Sequence, residues 1–264
     1  MNKLRQPAIY SIDQITFLVD IEKQVLRQTN DPGNEISFIN QMTDMGDHYM
    51  LAWDPAAKNA GFDREKVEPV IVPQLTVLDP EGMSEKYRVP VDQLEGKSDF
   101  EVIVDQEALT LREKGVLPRI NIAGEAFIID LRLRELRHAA NFHPVISLKS
   151  LELTGDGWHY EAYYHPVMKQ VVEIDPKLLE FPEGVVKIKL PNEIGLDPVA
   201  TAIKYGMNER ELLRRYPIQK ELKAEIIPLS ETNIPAMIRR NREALREEHR
   251  ENMQRTKPRI RPKF

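Results

Sequence analysis

Four of the chain's six histidines, His138, His143, His159 and His165, crowd into one short stretch. Such a density is what a zinc or non-haem metal centre would require. The spacing does not serve one. There is no HExxH and no HxH, and His159 and His165 stand six apart on a strand pattern, too far to chelate together without a bend. Paired with tyrosines, these histidines read as half-buried strand residues, and no metal is expected.

Carboxylates offer a second chemistry. Asp20 and Asp130 occupy matching places after apolar runs, with Arg27 and Arg137 seven positions later. Two such aspartates could form a twofold-related acid–base pair, but the Asp-Thr/Ser-Gly turn of that chemistry is missing. A pair of Asp–Arg bridges at a repeat interface is the expectation. GxGxxG, GxxxxGK[ST] and GxSxG are all absent, so no local pattern points to a nucleotide cofactor or a serine hydrolase. With no cysteine there is no thiolate ligand, thiol nucleophile or disulfide. No cofactor is expected.

Cations make the third group. Residues 239–264 hold ten Lys/Arg against four glutamates, a net +6, so residues 1–238 carry -11 of the chain's -5. Arg239, Arg240 and Arg242 begin this segment, and Lys257, Arg259, Arg261 and Lys263 alternate with Pro258, Ile260 and Pro262 at its end. These seven are the candidate partner-binding or nucleic-acid-binding residues. Arg210, Arg214 and Arg215 form a second basic cluster, placed where a helix-turn-helix would carry its recognition helix. The matching stretch Val91 to Gly96 carries Asp92 and Glu95 instead. That argues for a helical cap packing Leu78, Leu196, Tyr87 and Tyr205.

The elements that position these residues repeat. Phe17-Leu18-Val19-Asp20, Leu26-Arg27 and Ile36-Ser37-Phe38 return as Phe127-Ile128-Ile129-Asp130, Leu136-Arg137 and Ile146-Ser147-Leu148 at an offset of 110. His48-Tyr49, Pro55 and Lys58 return as His159-Tyr160, Pro166 and Lys169 at 111, and Leu78-Asp79-Pro80 and Lys86-Tyr87 as Leu196-Asp197-Pro198 and Lys204-Tyr205 at 118. The offset only grows, so the matches are collinear, and its last increase falls in the Pro176 to Pro182 loop. Phe127, Ile129, Leu131 and Leu133 alternate with Ile128, Asp130, Arg132 and Arg134, a half-buried strand. Val145 to Leu153 reads as a second strand, Thr154-Gly155-Asp156-Gly157 as a turn and Trp158 to Tyr164 as its return. Gln170 to Ile174 and Val185 to Leu190 read as two more. Asp197-Pro198 starts a short helix that Gly206 ends, and Asn208 with Glu211 starts another. Arg88 stands in the first copy where Gly206 stands in the second.

The predicted fold is therefore α+β: two pseudo-symmetric, mainly antiparallel β-meander repeats, each closed by a short helical pair, then a basic helix and arm. Repeat units span 11–105 and 121–227, a helical linker 106–120, and the C-terminal segment 228–264, with a long helix from Pro235 to Arg255. No apolar h-region lies between Met1 and Tyr10, and no apolar run approaches the roughly 20 residues of a membrane span. A cytoplasmic, non-membrane protein is expected. The leading functional reading is a non-enzymatic binding or scaffold protein whose basic arm docks a protein partner or a second copy. The second is a nucleic-acid-binding protein using the arm and the Arg210/Arg214/Arg215 helix. The third is an enzyme with a site between the repeats, using His159, Tyr160 or the Asp130/Arg137 pair.

Overall fold

The computed structural model describes residues 5–219 and 221–255. The arm cations Lys257, Arg259, Arg261 and Lys263 lie outside the described residues. The chain is a mixed α+β protein with several antiparallel sheets and, among the described residues, eight α-helices.

Strands β1 (Ile9–Ile12), β2 (Ile15–Asp20), β3 (Val25–Gln28) and β4 (Glu35–Ser37) form one antiparallel sheet in that order. Asp13 and Gln14 both take positive φ, the geometry of a two-residue hairpin turn whose twist suits the flanking strands. Phe17 and Val19 face inward and are buried. At Ser37 the chain leaves this sheet. The Ser37 hydroxyl accepts from the amides of Ile39 and Asn40, and Phe38 turns into the core. Strands β5 (Met42–Asp44), β6 (His48–Asp54), β7 (Asn59–Ala60) and β8 (Glu68–Pro73) make a second sheet around β6, whose Tyr49, Leu51 and Trp53 are buried.

Four helices follow: α1 (Leu75–Leu78), α2 (Pro80–Tyr87), α3 (Asp99–Ile103) and α4 (Gln106–Glu113). Proline opens α2 at its first position, where the missing N–H costs nothing, and the Asp79 carboxylate accepts from the Gly82 amide at 3.0 Å. Arg88 closes α2 in the left-handed conformation at φ 56°. Ser98 and Glu101 form a complete capping box on α3.

The chain then runs through β9 (Arg119–Ile122), β10 (Glu125–Asp130), β11 (Glu135–His138), β12 (Val145–Ser147), β13 (Glu152–Leu153), β14 (His159–His165), β15 (Gln170–Val171) and β16 (Val186–Pro191). Helices α5 (Glu193–Leu196), α6 (Pro198–Tyr205) and α7 (Glu209–Arg215) come next, then β17 (Leu222–Lys223), β18 (Glu225–Ile227) and α8 (Ile234–Arg255). β17 joins β9 in parallel, and β18 pairs with β16.

Three expectations change in detail. The alternation read from Phe127 to Arg134 is strand only to Asp130, where the chain turns and leaves Leu133 exposed. The strand read over Val145 to Leu153 is broken by a 3-10 turn at Leu148–Ser150. Ser147 accepts from the Lys149 amide, and Leu148 turns inward, so the chain passes from one sheet to the next. Gln170 to Ile174 is a strand only over Gln170–Val171.

Contacts divide the chain into two compact units, Met1–Val116 with Pro198–Gln219, and Leu117–Asp197 with Lys220–Phe264. Where the sequence groups 121–227 together, α6 and α7 fold with the first unit. The reason is apolar burial: Val199, Leu213 and Ile218 join the core built on Phe17, Leu26, Phe38, Tyr49 and Trp53. In this first unit the Tyr10 hydroxyl donates to the Ile71 carbonyl at 3.0 Å, and β8 carries Pro69 and Pro73, residues suited to a sheet edge. In the second unit, Ile120, Phe127, Ile129, Tyr164 and Ile188 are buried.

Candidate functional site

Helix α8 holds three of the candidate residues, Arg239, Arg240 and Arg242, all exposed. Its first two turns are anchored. Ile234 and Ile238 join Leu229, with Tyr163, Ile174 and Leu178 against them. Asn241 Nδ2 donates to the carbonyls of Pro176 and Leu178, and Arg242 Nε to that of Leu179 at 2.7 Å. From Arg242 to Met253 every residue is exposed. Arg239, Arg242, Arg246 and Arg250 follow a three-four-four spacing, which on a helix turning about 100° per residue puts them in one stripe about 16 Å long. Glu243, Glu247 and Glu251 form the neighbouring stripe at intervals of four. The side chains of Arg239, Arg240, Arg246 and Arg250 make no ion pair or hydrogen bond among the described residues.

The second basic cluster is placed differently. Arg214 is 3 % exposed. Its Nη2 donates to the Phe38 carbonyl at 2.8 Å, its Nη1 stands 3.5 Å from Asp44 Oδ2, and its guanidinium lies 4.7 Å from the Tyr49 ring centroid. Arg210 Nε donates to Asp44 Oδ2 at 3.0 Å and stacks on Phe100 at 4.3 Å. Arg215 Nη2 donates to Asn40 Oδ1 at 2.6 Å. Arg210 and Arg214 thus satisfy a carboxylate whose side chain is only 2 % exposed, and Arg214 is closed to a phosphate in this conformation. Solvation favours this arrangement, because a buried Asp44 without a cation would cost several kcal/mol. Beneath it, the buried Asp99 carboxylate accepts from the Tyr49 hydroxyl at 2.6 Å and from the amides of Leu75 and Thr76 at 2.8 Å. Burial pushes the Asp99 carboxyl up, against the pull of those three donors and Arg214. Burial also pushes the Tyr49 phenol up.

Beside α7 opens a cleft of about 610 Å³, lined by apolar Met42, Phe62, Met207 and Leu212 and by polar Asn40 and Glu211. Phe62 on it is 96 % exposed. No nucleophile–base pair faces this cleft among its lining residues.

The Asp–Arg pairs form inside the units. Arg27 Nη2 meets Asp20 Oδ2 at 2.6 Å, and Arg137 Nη2 meets Asp130 Oδ2 at 2.8 Å. Each bridges neighbouring strands at one end of a hairpin, β2–β3 and β10–β11, which is a structural role. Among the histidines, His159 is half-buried at the start of β14, and His138 is buried at the end of β11. His138 Nε2 lies 2.9 Å from Glu125 Oε2 and 3.2 Å from Lys169 Nζ, and its Nδ1 lies 2.8 Å from Asn141 Oδ1. Neither Glu125 nor Lys169 stands out in the sequence as a partner of this histidine. The only signal is that Lys58 recurs as Lys169. Among the described residues no three histidine, aspartate or glutamate side chains gather as metal ligands, and no helix there is long and apolar enough to cross a membrane.

Comparison with protein families, with curated proteins and with solved structures found no match for this chain.

Proposed function

We propose that this protein is a non-enzymatic binding component of a larger assembly, built by internal duplication, whose basic C-terminal segment docks an acidic protein partner. The observation that carries the reading is the charge pattern of α8. Arg242, Arg246 and Arg250 stand four apart, and so do Glu243, Glu247 and Glu251. Like charges at that spacing oppose a free helix by about 0.2–0.5 kcal/mol per pair. Glu243 and Glu247 precede Arg246 and Arg250 by three positions, yet those arginines close no ion pair among the described residues. From Arg242 to Met253 the helix buries no face, so it has little tertiary packing there to offset this. An anionic surface laid along the arginine stripe would. The four cations of the arm, Lys257, Arg259, Arg261 and Lys263, extend the same positive charge in sequence.

Duplication is supported by matching registers. Phe17 pairs with Gln28 and Asp20 with Val25, and their counterparts in the repeat pair alike, Phe127 with His138 and Asp130 with Glu135. Met50 pairs with Ile71, and its counterpart Glu161 pairs with Lys189 on the corresponding strand. A duplicated sheet scaffold offers rigid surface and needs no active site. A cytoplasmic setting belongs to this proposal and is supported by the absence of cysteine.

The test is fluorescence anisotropy with a labelled poly-glutamate peptide and, separately, a short DNA duplex, each over a series of salt concentrations. The reading expects salt-sensitive binding of the peptide. Tight binding of the duplex with a log–log salt slope of about 0.9 per contacted phosphate would favour nucleic acid instead. Binding of neither probe would remove the docking role.

A further inference from the structure

One atom in the second unit is asked to serve two partners that need it in opposite protonation states. His138 Nε2 lies 2.9 Å from the Glu125 carboxylate and 3.2 Å from the Lys169 ammonium. If Nε2 carries a proton, it donates to Glu125 Oε2 and has no lone pair for Lys169. If Nε2 is bare, it accepts from Lys169 and turns a lone pair toward the carboxylate. Lys169 keeps a second hold in either case, because its Nζ stands 2.9 Å from Glu125 Oε1.

These groups fasten separate pieces of the unit. Glu125 opens β10, His138 ends β11, and Lys169 sits at positive φ in the turn joining β14 to β15. His138 is 6 % exposed, and its ring meets Phe127 edge-on at 5.5 Å, so it has little room to swing away. Asn141 Oδ1 fixes the other ring nitrogen at 2.8 Å. The charged groups that meet the ring are Glu125 and Lys169, and Tyr164 on β14 feels the Glu125 charge. The Glu125 carboxyl is held below the usual carboxylate range by His138 and then Lys169. The Tyr164 phenol is pushed up to about 12 by burial and the Glu125 charge, so it stays neutral throughout.

The first unit supplies an internal contrast. The counterpart of His138 there is Gln28, whose Oε1 accepts from Asn34 Nδ2 at 2.8 Å, and Asn34 Nδ2 also donates to the Lys58 carbonyl at 2.9 Å. That fastening is made of amides and carries no titratable group.

We propose that His138 is a proton-operated latch on the β14–β15 hairpin. With Nε2 bare, Lys169 is held by both the imidazole and Glu125. When a proton from solvent adds to Nε2, the ring becomes an imidazolium, Nε2 donates to Glu125, and Lys169 faces a cation and is left with one partner. The hairpin turn then loosens while the Glu125–His138 contact tightens. Histidine is the side chain suited to make this exchange between about pH 5 and 8. This device goes beyond the docking role proposed above and does not depend on it.

The experiment is amide hydrogen exchange by NMR on the full chain across that pH range, corrected for intrinsic exchange. The reporters are Lys169, whose amide donates to the His165 carbonyl at 2.8 Å, and Val172, whose amide donates to that of Tyr163 at 2.9 Å. Gly61, which donates to Ala52 in the first unit at 2.9 Å, is the reference. Loss of one charge-assisted hydrogen bond should lower protection of the two reporters relative to Gly61 by about tenfold toward acid pH. His138→Gln, which copies position 28, should remove the pH step. If that variant does not fold, Lys169→Gln should remove it as well, because no ammonium is then repelled. A constant ratio in the natural protein, or the same pH step in the folded variant, would overturn the proposal.

Discussion

Arg214 donates to the Phe38 carbonyl at 2.8 Å across 176 residues of sequence. With Asp44 and Tyr49 it ties α7 to the first sheets of the chain, within one compact unit. Removing it leaves a nearly buried carboxylate with Arg210 as its one remaining cation among the described residues, and takes the guanidinium donor from the Phe38 carbonyl. Arg214→Ala should lower stability by about 3 kcal/mol, read from denaturant midpoints. Arg215→Ala, at an exposed neighbour, should cost under about 0.5 kcal/mol. Equal effects would show that α7 is held by its apolar face alone.

Asp79 caps α2 and pairs with Arg5. Asp79→Ala should destabilise by about 1 kcal/mol through the lost cap. Asp79→Asn keeps a capping oxygen, so the difference between the two variants measures the cap, and the difference between Asp79→Asn and the natural protein measures what the charge adds. A silent Asp79→Ala in urea unfolding would detach the Asp-Pro signature from helix initiation. Asp197, wholly buried before α6, should respond in the same direction.

Much of this is legible in the residues alone, and the reasons differ by element. The alternation through Phe127 and Ile129 marks the buried face of β10, and aspartate at 79 and asparagine at 208 mark helix starts that the side chains do cap. These are local signals, within a turn or two of chain. Arg210 and Arg214 read as candidates for a nucleic-acid-binding helix because nothing near them in sequence reveals Asp44, which lies 166 residues from Arg210. Tyr205, expected inside the helical cap, is 58 % exposed under Lys204, whereas Leu196 is buried. A short helix shows only part of its surface to the core, and without knowing which sheet receives it the inward residue cannot be chosen. The Glu125–His138–Lys169 cluster is equally hidden, since it joins three strand ends.

Acid should act on Arg27→Gln in a definite direction. Glu35 is held below the usual carboxylate range, first by its hydrogen bond from Arg27 at 2.9 Å and then by Lys23. A depressed folded-state value means that the pair's stabilising effect is present above the ordinary carboxylate value and fades as pH falls through the folded one. Arg27→Gln removes the first cause. The stability gap between natural protein and variant should therefore be widest near neutral pH and narrow on acidification. A gap that is constant with pH would assign the effect of Arg27 to packing.

The docking role is tested most directly on Arg239, Arg246 and Arg250, which have no partner among the described residues. The measurement is the affinity of the triple variant Arg239→Gln, Arg246→Gln, Arg250→Gln for labelled poly-glutamate at low salt, beside its denaturant midpoint. At about 0.5 kcal/mol for each exposed contact, affinity should fall about tenfold while the midpoint stays where it was. Undiminished binding, or a fall in the midpoint, would contradict the account by showing that the stripe serves the fold or nothing at all.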